Sequence, residues 1–224
     1  MSQQLSYQQF GEHAILVSWG DKISRQTSSD IGLFNKKVQK QLSEHIIETV
    51  TTYCSLTVYL KHSFEAQEII ADLKNLYQSN LQVEEISPKI WKIPVCYDPV
   101  FGLDIERLAY QKQMSVEKLI KCHSQVEYSV DFLGFLPGFP YLSGLSPLLK
   151  TARLTKPRLS VAKGSVAIGG NQTGVYPVES PGGWHIIGRT FVDFFNVNNN
   201  PVCFIRPMDK IKFYGISLDE FHHG

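Results

Sequence analysis

The chain has 224 residues, 43% of them hydrophobic, and a formal net charge of +1. That composition is ordinary for a soluble globular protein of one large or two small domains, and the charge gives no nucleic-acid footprint. No apolar run approaches the ~20 residues of a membrane helix, and MSQQLSYQQF lacks the pattern of a secretory signal, so the expected compartment is the cytoplasm.

In chain order, HAILVSWG (His13–Gly20) reads as a buried strand ending in a turn. DIGLFNKKVQKQL follows, with Ile31, Phe34, Val38 and Leu42 on one helical stripe. IIETV is a strand candidate. In YCSLTVYL, Cys54, Leu56, Val58 and Leu60 face one way and Tyr53, Ser55, Thr57 and Tyr59 the other. SFEAQEIIADLKNLY places Phe64, Ile70, Leu73 and Tyr77 near helical spacing behind Ser63 as N-cap. With a further strand near Val83 the order is β-α-β-β-α-β, a small ferredoxin-like α+β domain with both helices on one face.

A boundary falls near residues 85–92, where Pro88 and Pro94 bracket KIWKI and the charge changes sign. Residues 1–87 carry a net −3 and residues 88–224 a net +4. The expected domains are 1–88 and 89–224. The second opens with two short helices, IERLAYQKQ capped by Asp104 and VEKLIKCHS capped by Ser115, the latter with Val116, Leu119, Ile120 and His123 on its apolar side. Seven short strand candidates follow, from VEYSVDFLGF through GSVAIGG, TGVYPV, WHIIGRT, VDFFNV and VCFIRP to KIKFYGI, separated by Gly-, Pro- and Asn-rich turns. Many short strands imply a closed β-barrel or sandwich.

Several chemistries drop out. Gly169 and Gly174 have P-loop spacing, but Val175 and Tyr176 stand where Lys and Ser/Thr should be. Cys54, Cys96, Cys122 and Cys203 form no C-x-x-C pair, and no H-E-x-x-H or H-x-x-x-H occurs, so no metal site is expected. Ser146 lacks the second glycine of a nucleophile elbow.

What remains is concentrated in residues 134–190. GFLPGFPYLSGL reads as a rigid arch presenting Phe139 and Tyr141, or as a plug for the barrel end. Lys150, Arg153, Lys156, Arg158, Lys163 and Arg189 face only Glu179 as an acid. The turn Pro181-Gly182-Gly183 is expected to return Glu179 toward His185 or Arg189, either as a structural ion pair or to orient an anionic substrate. Alternation puts His185 and Ile187 on one face, Trp184 and Ile186 on the other. Glu179, His185 and Arg189 are the candidate catalytic residues. Arg158, Lys163, Phe139, Tyr141 and Tyr176 are candidates for holding substrate or nucleotide.

VDFLGFLPGFPYLSGL, RLTKPRLSVAKGSVAIGG, QTGVYPVESPGGWHIIGRT and VCYDPVFGLDIERLA together resemble the B-subunit family of bacterial ATP-dependent 5-oxoprolinase, which includes KipI-type kinase inhibitors and is also labelled allophanate hydrolase subunit 1. The resemblance spans about residues 95–211. It implies a cyclophilin-like β-barrel behind the α+β domain. It also implies two partners, the KipA-type C subunit and the A subunit of the enzyme, and ATP, with magnesium, for opening 5-oxoproline to L-glutamate. Two alternatives come with it: a KipI-type inhibitor of a sensor histidine kinase, and part of a urea- or allophanate-linked carboxyltransferase. The chain has no M-K-M biotinylation site, its methionines being Met1, Met114 and Met208, so no biotin is expected on it.

Overall fold

The computed structural model describes residues 5–21, 24–61, 66–83 and 87–224. Chain contacts divide it into two compact units, residues 1–87 and 88–224.

The first unit runs β1 (Ser6–Gln9), β2 (Ala14–Ser18), α1 (Arg25–Gln41), β3 (Ile46–Thr51), β4 (Ser55–Leu60) and α2 (Ala66–Gln78). Its four strands are antiparallel in the order β1-β2-β4-β3. The described residues therefore form ββαββα rather than the ferredoxin-like βαββαβ. An N-terminal strand, β1, adds to one edge, and Val83 is not in a strand. Ser63 and Phe64 lie outside the described residues. The helical stripe stands: Ile31, Phe34, Val38 and Leu42 are buried against Leu56, Val58 and Leu60, the expected inward face of β4. Ser24 caps α1 by accepting from the Thr27 amide at 3.1 Å. Asp30 Oδ2 ties three elements by accepting from Trp19 Nε1 at 2.7 Å and the Tyr77 hydroxyl at 2.6 Å. Burial and that carboxylate push the Tyr77 hydroxyl up to about 12, so it stays a donor.

The second unit comprises β5 (Ile90–Cys96), α3 (Ile105–Gln111), α4 (Val116–Ser124), β6 (Glu127–Leu133), β7 (Pro140–Ser143), β8 (Arg158–Val161), β9 (Ser165–Gly169), β10 (Gln172–Val175), β11 (Ser180–Gly182), β12 (His185–Arg189), β13 (Lys210–Ile216) and α5 (Leu218–His223). Seven strands close a barrel in the order β10-β7-β6-β13-β5-β12-β9, consistent with the cyclophilin-like expectation; β8 and β11 form a separate two-stranded ribbon. β13 runs parallel to β5, pairing Lys210 with Ile90 through Ile216 with Cys96. Val95, Tyr128, Leu142, Val166, Ile187, Ile211 and Phe213 fill the interior.

Ser115 caps α4 as expected, accepting from the Lys118 amide at 3.2 Å. Asp104 stands at the N-cap of α3 but makes no side-chain cap bond; its carboxylate is used elsewhere. VDFFNV and VCFIRP do not form strands. Phe194 and Ile205 are buried from irregular chain there, which mimics an alternating pattern without a ladder.

His123, on the apolar side of α4, is fully buried. The Tyr97 hydroxyl meets His123 Nδ1 at 2.8 Å, and Nε2 lies 2.9 Å from Thr173 Oγ1, which in turn donates to the Ala167 carbonyl at 2.8 Å. The threonine proton is committed to Ala167, so Nε2–H donates and Nδ1 accepts from Tyr97. Burial drives the imidazole down to about 3.

Candidate active site

Lys163 follows β8, and Arg189 ends β12. Gly164 joins them. Its φ of +81° suits glycine, and an added Cβ would run into the Thr190 carbonyl. Its amide donates to the Tyr176 carbonyl at 2.7 Å, and its carbonyl accepts from the Thr190 amide at 2.9 Å. Arg189 Nε then donates to the Lys163 carbonyl at 2.8 Å. Two cations far apart in sequence are thus fixed side by side.

They line a recess of about 320 Å³ walled by Phe101, Phe191, Phe221 and His222. Phe221 packs on Phe101 at 4.4 Å and on Phe191 at 5.9 Å between ring centroids. The Arg189 guanidinium sits 5.6 Å from the Phe101 ring. Lys163 Nζ pairs with Asp193 Oδ1 at 2.8 Å. That ammonium holds the Asp193 carboxyl below its usual range. Beyond its Nε bond, Arg189 makes no hydrogen bond or ion pair among the described residues, so this recess-lining side chain keeps donors to spare.

A second polar group gathers where α3, β8 and β12 meet. Asp104 is buried. Its Oδ1 accepts from Arg107 Nη2 at 2.7 Å and Arg158 Nη2 at 2.8 Å, and Oδ2 accepts from the Ile186 amide at 2.8 Å. Burial opposes its charge, but the two arginines and the amide outweigh that and the carboxyl is lowered. His185 Nε2 donates to the Ala152 carbonyl at 2.8 Å, and Nδ1 faces Arg107 Nη2 at 3.4 Å.

A third group is aromatic. Phe139, Tyr176 and Trp184 are buried and pack edge-on, at 5.2 Å from Phe139 to Tyr176 and 5.5 Å from Phe139 to Trp184. Half-buried Tyr141 joins them at 5.0 Å from Phe139, and Arg153 lies 5.8 Å from the Trp184 ring. Burial raises the Tyr141 and Tyr176 hydroxyls, so both remain protonated.

The expected residues therefore divide among these groups. Lys163 and Arg189 share the recess. Arg158 and His185 belong to the Asp104 group. The alternation read for β12 holds: Trp184 and Ile186 share one cluster, while Ile187 fills the barrel interior and His185 stands opposite Ile168 of that same interior, despite a register irregularity between Ile186 and Gly188. Phe139 and Tyr176 are buried in a cluster separate from the barrel interior, so neither is presented at the surface, while Phe135 is the ring the arch exposes, from a backbone at φ +68°. Glu179 does not return to His185 or Arg189. It accepts from Ser160 Oγ at 2.7 Å across the β8–β11 ribbon, because Pro181 and Gly182 continue that ribbon instead of closing a hairpin onto β12. Sequence reasoning misses Asp104, Arg107, Phe101 and Phe221. The available signal for Asp104 is a cap residue carrying an arginine three positions on.

Residues 5–205 match the family described as carboxyltransferase domain, subdomain C and D. Among curated proteins, the 5-oxoprolinase B subunit of Bacillus subtilis (strain 168) is 34% identical, covering 99% of this chain and 97% of its own. The same-named protein of Escherichia coli O157:H7 is 39% identical, covering 75% of this chain and 78% of its own. A solved structure of a conserved uncharacterized protein from Pyrococcus horikoshii is 41% identical, covering 96% of this chain and all of that one, with a TM-score of 0.58. The chain belongs to the family of 5-oxoprolinase B subunits.

Proposed function

We propose that this chain is the B subunit of a cytoplasmic ATP-dependent 5-oxoprolinase, acting with a KipA-type C subunit and with the enzyme's A subunit to open 5-oxoproline to L-glutamate. The observation that carries this is the recess. Arg189 has free donors and Lys163 a second positive charge beside it, against three phenyl rings, in a chain whose relatives bear that enzyme's name.

The reaction is hard because amide resonance must be broken. ATP, when bound, supplies a phosphoryl group that turns the ring amide into a better electrophile. The donor set fits its anionic part. Lys163 and Arg189 would hold phosphate oxygens and offset developing charge, and Phe101, Phe191 and Phe221 would exclude water from that contact. Asp193 pairs with the Lys163 ammonium and fixes its position. Among the described residues no cluster of three His, Cys, Asp or Glu side chains is placed to hold a metal; magnesium accompanying ATP would be held chiefly by the phosphates.

The test is reconstitution with the A and C subunits, ATP and 5-oxoproline, measuring glutamate. Omitting this chain should abolish product; unchanged product overturns the proposal. Lys163→Ala and Arg189→Ala should each lower kcat/KM roughly tenfold or more, and a variant matching wild type removes that residue from the site.

A further inference from the structure

The charges around Asp104 do not balance as a simple clamp. One buried carboxylate faces two guanidiniums, and both reach the same oxygen, Oδ1. Its other oxygen is taken by the Ile186 amide. Among the described residues no second carboxylate pairs with Arg107 or Arg158. A clamp between α3 and β12 needs one arginine. The second brings an uncompensated charge next to the first, screened by water on the Arg107 side, which another anion would offset.

Two further observations point the same way. Arg158 Nη1 is a buried nitrogen with no hydrogen-bond partner, in a side chain 28% exposed. Buried charged donors are rarely left unpaired. Arg107 is half exposed and so opens the group to solvent. His185 cannot supply the missing charge, since an imidazole is neutral or cationic, and its Nε2 already donates to the Ala152 carbonyl.

We infer that Arg107 and Arg158, held by Asp104, form a binding site for the carboxylate of a small organic acid. The surplus is a single positive charge, which matches a monoanion. Planar guanidinium forks match a planar carboxylate in paired N–H···O bonds. The site lies apart from the recess, with no lining residue in common. Asp104, Arg107 and His185 are positioning or binding groups here. On the function proposed above, the acid is 5-oxoproline; that identity rests on the reading, while the carboxylate site does not.

Titration of the full chain by calorimetry decides it, with L-5-oxoproline, L-lactate, 2-pyrrolidone and inorganic phosphate as probes. The expected result is saturable binding of 5-oxoproline and none of 2-pyrrolidone, which keeps the lactam but lacks the carboxylate. Arg107→Lys and Arg158→Lys keep the charge beside Asp104 but lose the fork, and each should weaken binding roughly tenfold or more. Lys118→Ala, removing an exposed charge on α4, should not. A near-ultraviolet spectrum and an unfolding transition like wild type confirm that each variant is folded. Binding of L-lactate but not of 5-oxoproline, lost in the same variants, keeps the carboxylate site and sinks the 5-oxoprolinase reading. No saturable carboxylate binding, equal binding by Arg107→Lys, or tighter binding of phosphate overturns the site itself.

Discussion

At the scale of single residues the molecule contrasts groups with spare bonding capacity against groups with none. Arg189 and Arg158 hold donors in reserve, whereas His123 is closed on both ring nitrogens inside the barrel. That closure has a pH signature. The unfolded chain takes up a proton on His123 near the ordinary histidine value of 6.5, and the folded chain resists until about 3. The unfolded state binds more protons between those limits, so stability falls as pH falls through that window, by up to about 1.4 kcal/mol per unit from this residue. Urea unfolding of wild type and His123→Leu at pH 7 and pH 5 should show the smaller pH loss in the variant. Equal losses would place the sensitivity elsewhere. The sequence makes such residues visible by type but not by company. Lys163 and Arg189 stand out as cations, and they do share a recess. Asp104 reads as a helix cap because its neighbours in sequence suit one, yet its partners lie 54 and 82 positions away at Arg158 and Ile186. Local rules cannot weigh a partner that distant. Glu179 fails for the opposite reason: the tight Pro181-Gly182-Gly183 stretch suggests a reversal, but the chain spends it extending a ribbon toward β8.

At the scale of elements, Asp104 joins three: α3 through Arg107, β8 through Arg158 and β12 through the Ile186 amide. Asp104→Asn should therefore loosen the β8–β11 ribbon along with the start of α3. The expected loss is about 1.5–3 kcal/mol, the range for hydrogen bonds to charged groups, and towards its lower end since both arginines keep some contact with water. Urea unfolding gives the loss, and amide exchange in residues 158–161 should accelerate in the variant. Unchanged exchange there would show that the ribbon is held by other contacts. Elements with a clean period are legible in the sequence: the α1 stripe, the alternation in β4 and the Ser115 cap all appear as read. VDFFNV and VCFIRP are not, because apolar side chains entering a core from irregular chain carry the same spacing as a half-buried strand. The order of the first unit is also hidden, since β1 is short and largely exposed and leaves little pattern to read.

At the scale of the molecule, each unit carries its own core. Among the described residues, Ile15, Trp19, Phe34, Val58 and Leu73 cluster within the first, and Val95, Tyr128, Ile187 and Phe213 within the second. Residues 88–224 produced alone should unfold in one cooperative transition, with near-ultraviolet dichroism from Trp91 and Trp184. A fragment that lacks a transition would mean the barrel depends on the first unit.

The parallel pairing of β5 with β13 has a bearing on how the protein is made. The second unit's opening strand can meet β12 earlier, but it finds its parallel neighbour only when residues 210–216 have left the ribosome. Until then β5 and β6 both offer bare edges, while everything the first unit needs has already emerged. Synthesis thus runs through an interval in which one half is finished and the other is an unsealed cylinder, the stage at which a chaperone or an assembling partner would find it open.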